Sequence, residues 1–350
     1  MWGNAAVDDV KARAAALAAL GETAFLLERA HAESRRSAAF RTAGAVIAAL
    51  TPDEFGARLR AGTLTQLRGI GSTTGQVISE AARGETPTYL TQARATEAPD
   101  AGQGVSLLSQ LRGDLHSHSD WSDGGSPISD MAETARALGR EYLALTDHSP
   151  RLTVANGLSR ERLERQLQVV ADLNSRWDDF RLLSGIEVDI LDDGALDQDE
   201  DLLAELDVVV ASVHSKLRMP AVEMTPRMVT ALANPRVTVL GHCTGRMVTG
   251  RGDRRRVRPP SEFDAELVFE AARQFGVAIE INCRPERRDP PSDLMSLALQ
   301  MGCDFSIDTD AHAPGQLAWL PFGAARAAKV GVSADRVVNA RPLDRLLRER

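Results

Sequence analysis

The chain is poor in cysteine, lysine and histidine, and each shortage narrows what it can be. Cys243, Cys283 and Cys303 are its only cysteines, and no two form a Cys-x-x-Cys pair. An odd, sparse set of this kind argues against a disulfide framework or a zinc ribbon, and buried free thiols are expected. No apolar run approaches the roughly 18–20 residues of a membrane span, so no membrane partner is expected. The opening stretch, MWGNAAVDDVKARAAALAAL, lacks the basic start of a secretory leader. A cytoplasmic location is therefore expected. The net charge of −8 argues against nonspecific adhesion to nucleic acid. Residues 1–100 hold eleven basic and eleven acidic side chains, so the whole deficit lies further on. Carboxylates gathered there are candidate cation ligands.

What is present is an ordinary globular composition, 43% hydrophobic and 26% charged, in 350 residues. That length is comfortable for two domains. Residues 1–85 read as short helices. Leu, Val, Ile and Ala recur at three- and four-residue spacing over Val7–Leu20, Thr23–Ala32, Ser37–Leu50 and Pro52–Ala61. The glycine pair Gly69 and Gly71 in LRGIGSTTGQVI then precedes a further helix. Residues 86–110 are rich in Thr, Ala, Pro and Gly without a sustained period, and are expected to be a linker.

From about residue 107 apolar runs alternate with amphipathic helices, and residues 111–350 are expected to form the second domain. The runs are Leu107–Leu115, Tyr142–Leu145, Leu182–Ile190, Val208–Val213, Val237–Leu240, Val277–Ile281 and Phe305–Ile307. Seven β units with mostly helical crossovers imply an α/β fold with a parallel sheet, closed as a barrel. The runs end in DLHSH, TDHS, GIEVD, SVHS, GHCTGR, EINCRPERRD and DTDAH. Six of the seven histidines thus stand at strand C-termini, which share one face of such a barrel. Gathering these imidazoles with Asp123, Glu187 and Asp310 would be costly without cations between them. The exception, His31, falls in an N-terminal helix and reads as an ordinary surface residue.

In this order the motifs GDLHSHSDWSDG, TDHS, GIEVDI, SVHS, GHCTGR, EINCRPERRD and DTDAH resemble those of the PHP (polymerase and histidinol phosphatase) family, over roughly residues 111–340. The resemblance implies a distorted seven-stranded (βα) barrel that cleaves phosphate esters with up to three divalent ions. Zinc and manganese are the expected metals, with iron a further candidate. Motif by motif, it implies a first ion on His116, His118, Glu187 and Asp310. A second would share Glu187 and add His214 and His242. A third would take Asp123, His148 and His312. Asp123 stands where many relatives carry His, which hardens that position and favours manganese over zinc there. Asp114 and Asp147, beside ligands, are candidates to orient imidazoles.

The implied chemistry is attack on phosphorus by a metal-bridged hydroxide, with guanidinium groups stabilising the phosphoryl charge. Arg246 and Arg287 are the candidate guanidiniums, beside the catalytic carboxylate Glu187. The segment Arg251–Arg258 carries five arginines. Arg254, Arg255 and Arg256 are candidate contacts for a polyanionic strand.

LRGIGSTTGQVI resembles a helix–hairpin–helix, in which Gly69 and Gly71 would let backbone amides reach a DNA phosphate. Together with RRSAAFRTAGAVIAAL it is similar to the small N-terminal domain of family X DNA polymerases, whose bacterial members also carry a PHP domain. Here about 25 residues stand where those polymerases hold a nucleotidyl-transfer domain. Residues 1–112 contain no Asp-x-Asp pair, so polymerase activity is not expected. No lysine lies between Lys11 and Lys216, so Schiff-base lyase activity is not expected either. The leading expectation is a phosphoesterase processing DNA ends as a 3′–5′ exonuclease. The rivals are a small-molecule phosphatase, acting on histidinol phosphate or a nucleotide, and a DNA-binding adaptor with a structural metal site.

Overall fold

The protein is described from a computed structural model, over residues 2–249 and 256–348. It forms two compact units, Met1–Pro99 and Asp100–Arg350.

The first unit is helical. A long helix, Trp2–Arg29, continues through Gly21, where the sequence suggested two shorter helices. Helices Ser34–Ala48, Pro52–Ala61, Ser72–Ala82 and Thr88–Arg94 follow. Leu20, Ala24, Phe40, Ile47, Phe55, Val77 and Ile78 form its core. Thr51 and Glu54 close a capping box that starts the third helix. Gly69 adopts φ of +98°, and a Cβ there would lie 2.9 Å from Thr42 Cγ2. Both the turn and the packing therefore require glycine.

The stretch expected as a linker, 86–110, is largely structured. Thr88–Arg94 is a helix of the first unit, with Leu90 and Ala93 buried and Arg94 ion-paired to Glu22. Seven residues are too few to display a period. Val105–Leu108 is a short helix of the second unit. Leu107 and Leu111, four apart, are both buried, which is helical spacing. The run 107–115 is therefore mostly not a strand. Gly104 lies so close to Ala324 that a Cβ would sit 2.4 Å from its carbonyl carbon.

The second unit holds β1 (Gly113–Asp114), β2 (Tyr142–Leu145), β3 (Arg181–Asp189), β4 (Val208–Ser212), β5 (Val239–Leu240), β6 (Met247–Thr249), β7 (Arg256–Arg258), β8 (Ala278–Asn282) and β9 (Phe305–Asp308). Seven strands form one sheet in the order β1-β2-β3-β4-β5-β8-β9, and all pairings are parallel. A parallel bridge between Ser117 and Ala311 joins the two ends just past β1 and β9. Leu115 N–H also donates to Asp308 Oδ1 at 2.8 Å. The sheet is thus nearly closed as a seven-stranded (βα) barrel, the fold class expected from the alternation of runs.

Strand alternation decides what faces inward. Leu183, Val208 and Val210 belong to one apolar cluster with Leu115, Tyr142 and Val239. Ile186, Val188, Val209 and Ala211 pack instead with residues of the surrounding helices. Glu187 has the parity of Leu183 and so projects to the interior at the C-terminal end. The remaining strands, β6 and β7, form an antiparallel hairpin, pairing Met247 with Arg258 and Thr249 with Arg256. Arg256 and Arg258 of the arginine-rich segment thus lie on a paired strand. No helix among the described residues is long and apolar enough to cross a membrane.

Candidate metal centre

Glu187 is the hub. It is 1% exposed, and its backbone N–H is held by the carbonyls of Thr146 and Asp147. Its two carboxylate oxygens face different histidines. Oε2 lies 3.3 Å from His116 Nε2, 3.5 Å from His118 Nε2 and 2.9 Å from His148 Nδ1. Oε1 lies 3.3 Å from His214 Nε2 and 2.9 Å from His242 Nε2. Asp310 Oδ1 joins the first group, 3.4 Å from His118 Nε2 and 3.9 Å from His116 Nε2. Asp123 Oδ1 forms a third centre, 3.4 Å from both His148 Nε2 and His312 Nε2. All nine residues named from the motifs therefore converge, although they span positions 116 to 312.

The atoms that meet are not satisfied by the protein. Nε2 of His116, His118, His214 and His242, with both oxygens of Glu187, are buried without a hydrogen-bond partner. Leaving so many buried polar atoms unpartnered costs on the order of 1–3 kcal/mol each. Donor spacing fits cations instead. Two ligands each about 2.1 Å from one ion, at octahedral or tetrahedral angles, lie roughly 3.0–3.4 Å apart. Three groups of donor atoms lie close enough to share an ion: His118, Asp123, His148 and His312; His116, His118 and Asp310; His148, Glu187 and His214. The donor set, imidazole nitrogens with carboxylate oxygens, suits zinc, manganese or iron.

Titration reflects this crowding. Burial acts most strongly on His116 and favours the neutral ring, but Glu187, Glu280 and Asp310 outweigh it and push its pKa well up. His148 likewise loses to burial but gains more from Glu187 and Asp123, reaching about 10. His118 goes the other way, held well down by burial and by the neighbouring rings of His312 and His148. Burial opposes ionisation of Glu187, yet His214, His116 and His148 hold its pKa well below the carboxylate range. Asp310 is also held low against burial, chiefly by Arg284 and Arg287.

The residues that orient these rings differ from those expected. Asp114 and Asp147 touch no imidazole. Asp147 accepts hydrogen bonds from Ser119 N–H and Oγ, Ser122 Oγ and Gln166 Nε2, which fixes the loop leading to Asp123. Asp114 accepts from His116 N–H and from the N–H and hydroxyl of Thr309. Ring orientation falls to Glu280 and Asp189. His116 Nδ1 lies 2.6 Å from Glu280 Oε1, and His214 Nδ1 lies 2.8 Å from Asp189 Oδ1. Each carboxylate accepts the Nδ1–H and leaves Nε2 facing Glu187. Glu280 was legible: an acid inside the buried strand AIEIN raises the question that GIEVDI raises for Glu187.

Of the candidate arginines, Arg287 reaches the cluster. Its Nε donates to Asp310 Oδ2 at 3.0 Å, and its Nη1 is buried without a partner. Arg246 turns to the Arg287 carbonyl, at 2.7 Å. Arg284 was not anticipated; its Nη1 lies 3.6 Å from Asp310 Oδ1 and 3.0 Å from His312 Nδ1. Arg256 is exposed on β7, whereas Arg254 and Arg255 lie outside the described residues. In the other unit, Gly71 caps the helix Ser72–Ala82, and its own N–H donates to Thr74 Oγ1 at 3.0 Å. Cys243, Cys283 and Cys303 are free and buried, as expected from their spacing.

Comparison with known proteins gives the geometry a context. Residues 114–284 match the model of the PHP domain. The chain is 42% identical over 236 residues to the DNA polymerase/3′-5′ exonuclease PolX of Bacillus subtilis, a match covering 67% of this chain and 40% of that protein. It is 27% identical over 237 residues to a probable phosphatase of Thermoanaerobacter sp. (strain X514), covering 65% of this chain and 89% of the relative. Among solved structures, histidinol phosphate phosphatase from Lactococcus lactis, complexed with zinc, L-histidinol and phosphate, is 20% identical. That likeness has a TM-score of 0.45 over 64% of this chain and 95% of the other.

Proposed function

From the PHP domain that this chain carries over residues 114–284, we propose that it is a divalent-metal-dependent phosphoesterase that processes DNA ends. The observation that carries the hydrolase reading is the convergence of nine imidazole and carboxylate side chains, six of which (His116, His118, His148, Glu187, His214 and His242) bury atoms there without a hydrogen-bond partner. His116, His118, Glu187 and Asp310 would hold one ion, Glu187, His214 and His242 a second, and Asp123, His148 and His312 a third. When bound, such ions supply an activated water at neutral pH and charge neutralisation for the phosphoryl group.

The protein's own residues do the rest. Glu280 and Asp189 hold the Nδ1 protons of His116 and His214, so that their Nε2 lone pairs face Glu187. Arg287, fixed through Nε to Asp310, has Nη1 left to donate to a phosphoryl oxygen. Arg246 holds the Arg287 carbonyl and so steadies the segment that presents it. Arg284 supplies a second positive charge beside Asp310 and His312.

Two features favour a nucleic-acid substrate over a small ester. The β6–β7 hairpin supports this: Arg258 Nε donates to the Gly245 carbonyl and Val248 N–H to that of Glu286, while Arg256 stands exposed on the same strand as Arg258. In the first unit, Gly69 at φ +98° and Gly71 lead into the helix Ser72–Ala82, whose N-terminal amides are the kind of group that receives a phosphate. The 42%-identical relative is a polymerase and exonuclease. The chain spans 40% of its length, so that relative's activity enters here only as support.

A second reading, a small-molecule phosphatase, is favoured by the probable phosphatase of which 89% is covered. Manganese-loaded protein should shorten a 5′-labelled oligonucleotide stepwise from its 3′ end. Hydrolysis of a phosphomonoester with the oligonucleotide left intact would favour the second reading instead.

A further inference from the structure

Arg227 sits in the helix Ala221–Leu232 with its side chain fully buried. A buried guanidinium needs partners for five donors, and the only carboxylate within ion-pair range among the described residues is Asp192, 4.0 Å away. Backbone carbonyls take its place. Nε donates to the carbonyls of Ile190 at 3.1 Å and Leu191 at 2.9 Å. Nη1 donates to the Ser215 carbonyl at 3.0 Å. Nη2 donates to Ser215 Oγ at 3.1 Å and also to the Ile190 carbonyl.

The placement of these acceptors is specific. Ile190 directly follows Asp189, and Ser215 directly follows His214. Asp189 and His214 are the pair joined at 2.8 Å through Nδ1. One guanidinium therefore grips the backbone one residue beyond each member of the pair, at the ends of β3 and β4. His214 is 14% exposed in its side chain, against 0–1% for His116, His118 and His242. It thus has the least packing of these four to hold its ring. A planar fork of donors can bridge two segments in fixed register, and a lysine ammonium cannot reproduce that geometry.

We propose that Arg227 is a positioning residue that locks the His214–Asp189 pair and thereby sets the affinity of the cation position at Glu187 Oε1. This rests on the reading of His214 as a ligand. It assigns function to a residue that touches neither substrate nor ion.

The test compares full-length wild type with Arg227→Gln, Arg227→Lys, Ser215→Ala and His214→Ala. Manganese affinity and stoichiometry are measured calorimetrically on metal-free protein without substrate, with near-ultraviolet circular dichroism reporting the fold. Arg227→Gln should weaken the affected ion by roughly 10–100-fold, the scale of residues that orient metal ligands, and excess manganese should restore the full stoichiometry. Arg227→Lys should recover at most part of the affinity, and Ser215→Ala should fall between wild type and Arg227→Gln.

Wild-type manganese affinity in a folded Arg227→Gln protein would overturn the proposal, provided His214→Ala is weakened. If Arg227→Gln does not fold, Ser215→Ala decides, and unchanged affinity there overturns it. Wild-type affinity in His214→Ala would overturn the ligand reading and this inference together. Because no substrate is present, absence of DNA hydrolysis leaves the result unaffected and counts only against the proposed function.

Discussion

Replacing Glu187 with Gln removes one charge and almost no volume. Five histidine nitrogens lie within 2.9–3.5 Å of the two oxygens. A unit charge about 3 Å away is worth roughly 5 kcal/mol at an effective dielectric of about 20. The amide dipole returns part of this, and an ion at either oxygen feels the remainder. Losing even half of it weakens each of the two adjoining ions by about two orders of magnitude. Hydrolysis needs both, so kcat/KM should fall by about 10³-fold or more. The assay is manganese calorimetry together with phosphodiester turnover at a manganese concentration that just saturates the wild type. The fold should survive, because burial of the carboxylate is itself unfavourable. A folded Glu187→Gln protein with metal affinity and turnover within threefold of wild type would refute the reasoning. It would leave the adaptor reading standing.

Four further outcomes are expected. Asp123→His should raise zinc affinity relative to manganese at the position shared with His148 and His312, as competition between the two metals would reveal; an unchanged ratio would count against Asp123 as a ligand. Metal-free protein should lose stability as pH rises from about 6.5 towards 10. His148 is raised from 6.5 to about 10, so its contribution is complete below the unfolded value and lost through the folded one; urea titrations showing the opposite slope over that window would contradict the assignment. Gly69→Ala should destabilise the helical unit by about 1–3 kcal/mol, since it forces a side chain into φ of +98° against Thr42; an unchanged unfolding midpoint would mean the turn relaxes freely. Arg256→Ala should weaken oligonucleotide binding and lower the log–log salt slope by about 0.7 for single strands. A slope equal to wild type would mean this side chain meets no phosphate.

The barrel and its candidate ligands were readable in the sequence for one reason. In a parallel barrel the functional side chains follow buried strands, so six of the seven histidines were flagged by the apolar run before them. Closure itself was expected, but the residues that make it, Ser117 and Ala311, were not legible, because two-residue β1 carries no alternation to count. The same brevity hid the helix Thr88–Arg94 inside the expected linker. Orientation within the site was also illegible. Asp114 and Asp147 are neighbours of ligands in the chain, yet the rings are held by Glu280 and Asp189 across strands. Arg246 and Arg287 looked equivalent as arginines after strand ends; only geometry separates one that grips Asp310 from one that grips a carbonyl. Arg227 left no motif at all, since its partners are backbone carbonyls, whose positions a sequence does not mark.

The most direct measurement is anomalous diffraction at the manganese and zinc edges from crystals of the metal-loaded chain. The account predicts peaks bonded at about 2.0–2.3 Å to Glu187 on both oxygens, with His116, His118 and Asp310 on one side and His214 and His242 on the other. A further peak is predicted between Asp123, His148 and His312. A map with no peak within bonding reach of Glu187 would contradict it.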